Sequence, residues 1–467
     1  MRIAVFGMGY VGLVTAAGLA EWGHEVVGIE VDHERLEALR AGRMPFFEPN
    51  LDVLVEAGIA GERLRFTDRV DGIEAIQVAI IAVGTHDGNG GWQTETIQAC
   101  FAGMAPELAD DAVLVIRSTL PPEFLPKIRL TIDSLRAAAG RAPIPVVVNP
   151  EFTREGSAVT DYLDPDRIVL GVISDDTGTG VRQLRRMYHL VTAPFLVMSA
   201  EDAVLAKLGA NLFLATKISF ANELAMLCEA YNADVTQVVE AMSHDARIGG
   251  AFLRAGIGFG GSCLPHQVTM TVLAAQAAGR PTPLLAAVDE INHQRRFDFV
   301  TRLESAVGGS LQGARVALLG LTFKPGTDDL REAPSLVIAE AAIAAGAEVI
   351  AYDPMASARS RAARLILGLQ IAESAAEALA GADVAGLVTE WPEFSQLDWA
   401  ALRDTMRGAA IVDGRNALDP DAIVAAGFRY TGFGRRTAGA VSAQLVGANL
   451  VSWPSGPEVR LASAGVG

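Results

Sequence analysis

The chain has 467 residues, room for about three domains at roughly 150 residues each. It carries 55 acidic and 38 basic side chains, a net charge of −17, which disfavours broad binding to nucleic acid or to an anionic membrane. Half the residues are apolar, a globular composition, and the three widely spaced cysteines (Cys100, Cys228, Cys263) argue against a disulfide scaffold or a zinc site and for a reducing, cytoplasmic compartment.

No uncharged apolar run reaches the ~18–20 residues of a membrane span. Met1 to Ala20 superficially resembles a signal peptide, but reads better as a strand, a glycine turn and a helix. Strand-like Arg2 to Phe6 leads into helix-like Tyr10 to Trp22 and a second strand, Glu25 to Ile29. Val78 to Val83, Val113 to Ile116 and Val146 to Val148 are further short β-rich runs. Strands alternating with helices predict a parallel sheet covered on both faces over residues 1–197. From Ala200 to Met242 glycine and proline are scarce, which predicts a long helical region. The glycine-dense loop Gly256 to Ser262 interrupts it, and helix-like sequence resumes to about Arg296, giving a central region over 198–300. Gly308-Gly309-Ser310 marks a boundary. The alternation then returns over 310–438: strands at Arg315–Leu319, Glu348–Tyr352, Val384–Val388 and Ala410–Val412, and a helix at Ser335–Ala345. Residues 439–467 form a tail without periodicity. The fold class is therefore α/β: two Rossmann-like doubly wound domains joined by a long central helical region.

Gly7-Met8-Gly9-Tyr10-Val11-Gly12 follows a strand and opens a helix, the setting a dinucleotide fingerprint requires. Gly7 permits the tight turn, Gly9 lets a pyrophosphate approach the backbone, and Gly12 lets helix and strand pack closely. The helix N-terminus favours the anion. Glu30 ends the second strand, 18 residues after Gly12. An acid there can bind both ribose hydroxyls and repel a 2′-phosphate, which favours NAD over NADP. Asp32 is an alternative, and Glu30 could simply be a solvated strand end.

Three loops follow sheet strands and carry Gly84-Thr85, Ser118-Thr119 and Asn149-Pro150-Glu151. Such loops lie where open α/β sheets bind ligands. Thr119 and Glu151 are candidates beside a nicotinamide, although a turn threonine and a salt-bridged loop acid read equally well. Cys263 follows a glycine-rich loop at an expected helix start, where a thiolate is stabilised, so it is either a nucleophile or inert. Cys100 and Cys228 read as packing. Lys207 and Asn211 sit at i, i+4 on one helical face.

Taken in order, these motifs resemble the nucleotide-sugar 6-dehydrogenase family of UDP-glucose and GDP-mannose dehydrogenases. The likeness runs from Met1 to about Phe433. It rests on Gly7–Gly12, Gly42–Pro49, Ser118-Thr119, Asn149–Gly156, Pro165–Arg167, Lys207–Asn211, Gly258–Cys263, Gly320–Pro325 and Arg331–Ser335. Serine before the cysteine resembles the glucose and mannose branch. The resemblance implies a four-electron oxidation of a sugar C6 alcohol with NAD, through a cysteine thiohemiacetal and thioester, UDP-glucose to UDP-glucuronate above all. It implies Cys263 as nucleophile, Lys207 with Asn211 at the oxyanion, and Thr119 and Glu151 at the hydrolytic water. Substrate contacts would come from Glu151, Phe152, Glu155, Lys207, Asn211, Phe252, Gly260, Phe323, Lys324 and Arg415. Arg247 would reach the sugar of a neighbouring subunit, so that the long helix builds a homodimer or higher homo-oligomer. Gly7, Gly9, Tyr10, Val11, Gly12, Glu30, Arg35, Thr85, Thr119, Glu155 and Arg331 would contact NAD. No metal, nucleic acid or membrane is implied.

The sequence departs from the family where Lys and Asp usually follow the Pro after the cysteine: here stand His266 and Gln267. Glutamine keeps size and hydrogen bonds but has no useful proton affinity, whereas His266 titrates near neutrality or is merely solvated. Thr153 replaces the usual leucine. Two alternatives follow: the same chemistry on GDP-mannose or another NDP-hexose, and a non-catalytic nucleotide-sugar or NAD binder.

Overall fold

The computed structural model describes residues 1–69, 75–85 and 92–436; the expected tail lies outside them. Eight strands form the first sheet: β1 (Arg2–Phe6), β2 (Glu25–Ile29), β3 (Leu64–Thr67), β4 (Val78–Ile81), β5 (Val113–Ile116), β6 (Val146–Val148), β7 (Ile168–Ser174) and β8 (Phe195–Ser199). Their order is β3-β2-β1-β4-β5-β6-β7-β8, so the direction of winding reverses between β1 and β4, beside the glycine turn. Period-2 alternation buries both faces. Ile3 and Val5 enter one core, and Ala4 and Phe6 enter the other. Each fully buried aliphatic side chain contributes about 1.5–3 kcal/mol.

One departure from an all-parallel sheet matters for the site. β7 runs antiparallel to β6, whereas β8 is parallel to β7. Residues 149–167 therefore need not cross the sheet and stay at the edge where β6 ends. That loop carries Glu151 and Glu155. The runs containing β3, β7 and β8 were not anticipated, although β8 is apolar at four of its five positions and remains half exposed.

The second sheet holds β9 (Arg315–Leu319), β10 (Glu348–Tyr352), β11 (Gln370–Ile371), β12 (Val384–Leu387), β13 (Ala410–Asp413) and β14 (Arg429–Gly432), in the order β11-β10-β9-β12-β13-β14, all parallel. Val316 and Leu318 face one core, Ala317 and Leu319 the other.

Between the sheets the expected single helical stretch is two helices, Ala200–Ala230 and Val235–Ser243. The break falls where Asn232 adopts φ +52° and Asp234 caps the second helix through the Thr236 N–H. Ser199 caps the first by accepting from Asp202 N at 3.1 Å. By length and mean hydropathy Ala200–Ala230 could cross a membrane, although Lys207, Lys217 and Glu223 interrupt it, so it contains no uncharged run of that length. It packs instead on β7, where Gly171 removes the Cβ that would lie 2.6 Å from that of Ala203. Two further helices, Leu264–Ala277 and Pro283–Ala306, pack beside it. The end of the last one inserts Phe299 and Leu303 into the core of the second sheet.

Candidate active site

The glycine turn is built as its spacing implies. Gly7 has φ +88°, and a Cβ at Gly12 would overlap the Gly7 carbonyl oxygen. At Gly9 a Cβ would meet nothing within 4 Å, and no side chain caps the helix Tyr10–Glu21 that starts there. An open backbone approach to an uncapped helix N-terminus, formed by Gly9, Tyr10, Val11 and Gly12, fits a dinucleotide pyrophosphate. Glu30 is buried. It accepts from Met8 N at 3.0 Å and Asp32 N at 2.9 Å, and pairs with Arg35 at 3.0 Å. It thus stiffens the turn, while Asp32 caps the helix His33–Arg40. Thr85 donates to the Thr119 carbonyl at 2.7 Å, tying the loops after β4 and β5 together.

The Tyr10 ring packs on Phe46, and its hydroxyl bonds to Glu48. Glu48 also accepts from Gly156 N at 2.6 Å and Ala158 N at 2.7 Å. This buried acid, not anticipated as a site residue, locks the 149–158 loop to the glycine turn. Its signal was the Gly42–Pro49 motif, which names no partner.

A cleft of about 1100 Å³ opens between the two sheets. It brings together Glu151, Phe152, Glu155, Lys207, Asn211, Phe252, Gly260, Cys263, Phe323, Lys324 and Arg415. Thr119, Arg247, Arg331 and His266 are not among its lining residues. Arg247 is 89% exposed and paired with Asp245.

Within the cleft, Lys207 and Glu151 form a buried ion pair at 2.8 Å. Thr153 N and Oγ1 also donate to Glu151, at 2.7 and 2.8 Å. Burial opposes ionisation of Glu151, but Lys207, Thr153 and Arg117 outweigh it and hold the carboxyl below its usual range. The unexpected Thr153 thus adds a hydroxyl bond to the carboxylate, where a leucine would offer the backbone N–H alone. Arg117, another residue missed from sequence, is buried and held by Asn149 at 2.9 Å and Tyr188 at 3.3 Å. The Phe152 ring lies under Arg167 at 3.9 Å and 5.3 Å from Lys207 Nζ.

Cys263 stands at the N-terminus of the helix Leu264–Ala277. Burial and Glu151 push its thiol up, and Lys207 and a hydrogen bond with Ser262 pull it down, for a net rise. One turn on, buried Gln267 accepts from Asn211 Nδ2 at 2.9 Å, so the departing residue holds a cleft amide in place. Cys228 is buried in a small apolar cluster. Cys100 packs on the first core, and burial pushes it up to about 11.

The glycine-rich loop is clamped from three sides. Asn292 bonds both Phe259 N (2.7 Å) and Phe259 O (3.1 Å), and Asn222 accepts from Gly256 N at 2.7 Å. A Cβ at Gly260 would overlap the Glu332 carbonyl, and one at Gly261 would lie 2.8 Å from the Phe323 ring. Arg415 donates to the carbonyls of Gly258 (2.7 Å), Val388 (2.8 Å) and Phe323 (3.2 Å), so it braces the cleft wall as well as lining it. Asn222 and Asn292 sit mid-helix with no motif around them, and sequence gave no sign of them.

Three models of one family match the chain in order: the NAD binding domain over residues 1–192, the central domain over 201–294 and the UDP binding domain over 317–420. The chain belongs to the UDP-glucose/GDP-mannose dehydrogenase family. It is 39% identical to a UDP-glucose 6-dehydrogenase of Rhizobium meliloti over 93% of this chain and all of the relative. It is 40% identical to one of Pseudomonas aeruginosa over 94% of this chain and 98% of the relative. A solved UDP-glucose dehydrogenase of Pyrobaculum islandicum superposes with TM-score 0.83 at 34% identity, covering 93% of this chain and 97% of that one. As a family member the chain is an NAD-dependent nucleotide-sugar 6-dehydrogenase, with NAD at the N-terminal domain.

Proposed function

We propose that this dehydrogenase converts UDP-glucose to UDP-glucuronate by two successive oxidations at C6, with Cys263 as nucleophile. The observation that carries this reading is the buried Lys207–Glu151 pair in the same cleft as Cys263 and Asn211, with Gln267 holding Asn211 from behind the cleft wall. The relatives named above act on UDP-glucose, which favours that substrate.

Bound NAD supplies the hydride acceptor of each oxidation. The chain's own residues supply the rest. Cys263 adds to the C6 aldehyde: a C–S bond forms, the carbonyl π bond breaks, and the oxygen takes the charge. Lys207, buried and fixed by Glu151, meets that charge as a preorganised cation. Asn211, oriented by Gln267, donates beside it. After the second oxidation the thioester is hydrolysed, and Glu151 orients the attacking water, assisted by Thr119 from the cofactor side. Phe323, Lys324 and Arg415 border the nucleotide end. A second copy of the chain docks on the long helix and brings Arg247 to the sugar.

The test is turnover of UDP-, dTDP-, GDP- and ADP-hexoses with NAD, read by NADH absorbance and product mass. Two NADH per UDP-glucose and a uronate product are expected. Preference for GDP-mannose or another hexose overturns the substrate. One NADH with a free aldehyde shows that Gln267 does not support the second half-reaction. Saturable binding without turnover of any sugar leaves the binding-protein alternative.

A further inference from the structure

We propose that Ser262 relays the Cys263 thiol proton to Glu155, making Glu155 the base that arms the nucleophile. The inference rests on the reading of Cys263 as nucleophile. The geometry is a three-member chain. Cys263 Sγ lies 3.7 Å from Ser262 Oγ, and Ser262 Oγ donates to Glu155 Oε1 at 3.2 Å. The other oxygen, Glu155 Oε2, is buried and receives no N–H or O–H, while the Asp329 carboxylate stands within hydrogen-bond reach of the protonated Glu155 carboxyl.

Protons balance along the chain. The S–H proton passes to Ser262 Oγ as the serine proton passes to Glu155, so a thiolate and a neutral carboxylic acid replace a thiol and a carboxylate. When the thiolate adds to an aldehyde, the alkoxide formed is the group to which the proton can return.

The setting suits a base that works near neutrality. Arg331 donates to Glu155 Oε1 at 3.0 Å, but its fork is committed to Asp329, with Nε at 2.9 and 3.0 Å and Nη2 at 2.6 Å. Burial and the neighbouring Asp329 charge push Glu155 up to about 7, against the pull of Arg331 and Lys324. Tyr10 also faces the Glu155 end, and Glu151, Lys207, Lys324 and Arg331 all act on the sulfur. Lys324 and Arg331 reach both ends through charge, whereas Ser262 joins Cys263 and Glu155 by hydrogen bonds.

A purely electrostatic role predicts the opposite sign, and this makes the proposal testable. A fixed negative charge at Glu155 raises the Cys263 thiol. If charge alone acted, Glu155→Gln would make the thiol more reactive. The experiment is iodoacetamide alkylation of the full-length protein without substrate, with Cys263 followed by peptide mass across about pH 6 to 9. In the parent protein the rate should rise as Glu155 loses its proton near pH 7. Glu155→Gln and Ser262→Ala should each remove that rise and slow alkylation roughly 10²-fold at neutral pH, the scale of a positioned base. Ser262→Thr, which keeps the hydroxyl, should restore it. Faster or unchanged alkylation in Glu155→Gln overturns the relay, as does a parent-like profile in Ser262→Ala. Cys263→Ser separates the two levels: if it still forms uronate, the nucleophile reading falls. If it is inactive while Ser262→Ala alkylates normally, only the relay falls.

Discussion

Glu151 and Glu155 lie four residues apart on one loop, yet their surroundings drive them in opposite directions. Both are buried, which favours the neutral acid. Lys207 reverses that for Glu151, and Asp329 reinforces it for Glu155. The consequences for stability differ in sign. Glu155 titrates at about 7 in the folded protein against an ordinary 4.5, so the folded state binds the extra proton in that window and stability falls as pH rises through it. Glu155→Gln should therefore raise the melting temperature at about pH 8 and leave it nearly unchanged at about pH 5. Glu151 is held below its ordinary value, so its contribution is present above the usual carboxylate range and lost as pH falls through the folded value. Glu151→Gln strands a buried ammonium and should cost about 3 kcal/mol in urea unfolding at neutral pH, most of it recovered when Lys207→Met is added. Glu151 was legible as a candidate because it follows a strand at the ligand-binding edge of a sheet, and Glu155 only through the family motif around it. Their separate roles were not, because the partners that decide them, Lys207, Asp329 and Arg331, lie far along the chain.

Elements were most legible where local rules suffice. The glycine turn has a geometry that Gly7, Gly9 and Gly12 dictate almost unaided, and the β1, β2, β5, β6, β9 and β10 runs coincide with their apolar stretches. β7 and β8 were missed, and so was the antiparallel β6–β7 step, because register and direction come from long-range pairing rather than from composition. Within the turn, Gly9 and Gly12 do different jobs, which separates a cofactor glycine from a packing glycine. Gly9→Ala meets open space at a negative φ, so it should leave the melting temperature within about 1 °C while weakening NAD binding at least ten-fold by titration calorimetry. Gly12→Ala must displace the Gly7 carbonyl and should destabilise the domain by about 2 kcal/mol or more, with or without NAD.

At the scale of the whole molecule, the cleft depends on parts no local signal joins. Asn222 and Asn292 hold the cysteine loop from two helices, and Glu332, Phe323 and Arg415 hold it from the second sheet. The long helix that positions Lys207 also presents Leu205, Phe213, Phe220 and Leu227, all between 47 and 65% exposed. Their spacing of seven and eight residues places them on one face, opposite the ion-paired side. An apolar stripe of this length on an acidic chain is the feature that the proposed homodimer would bury. Arg247, exposed and, among the described residues, ion-paired with its near neighbour Asp245, is then placed to work at a second copy's cleft. Phe220→Glu with Leu227→Glu should convert the protein to a monomer by sedimentation, because each buried carboxylate would face its symmetry mate across the interface. Far-ultraviolet circular dichroism should be unchanged, since both side chains are substantially exposed in the single chain. If Arg247 serves the partner's site, the monomer should bind NAD normally and lose kcat/KM for the sugar nucleotide. Arg247→Ala in the intact dimer should reproduce that loss. A monomer with full activity would place Arg247 outside the reaction and leave the cleft of one chain sufficient.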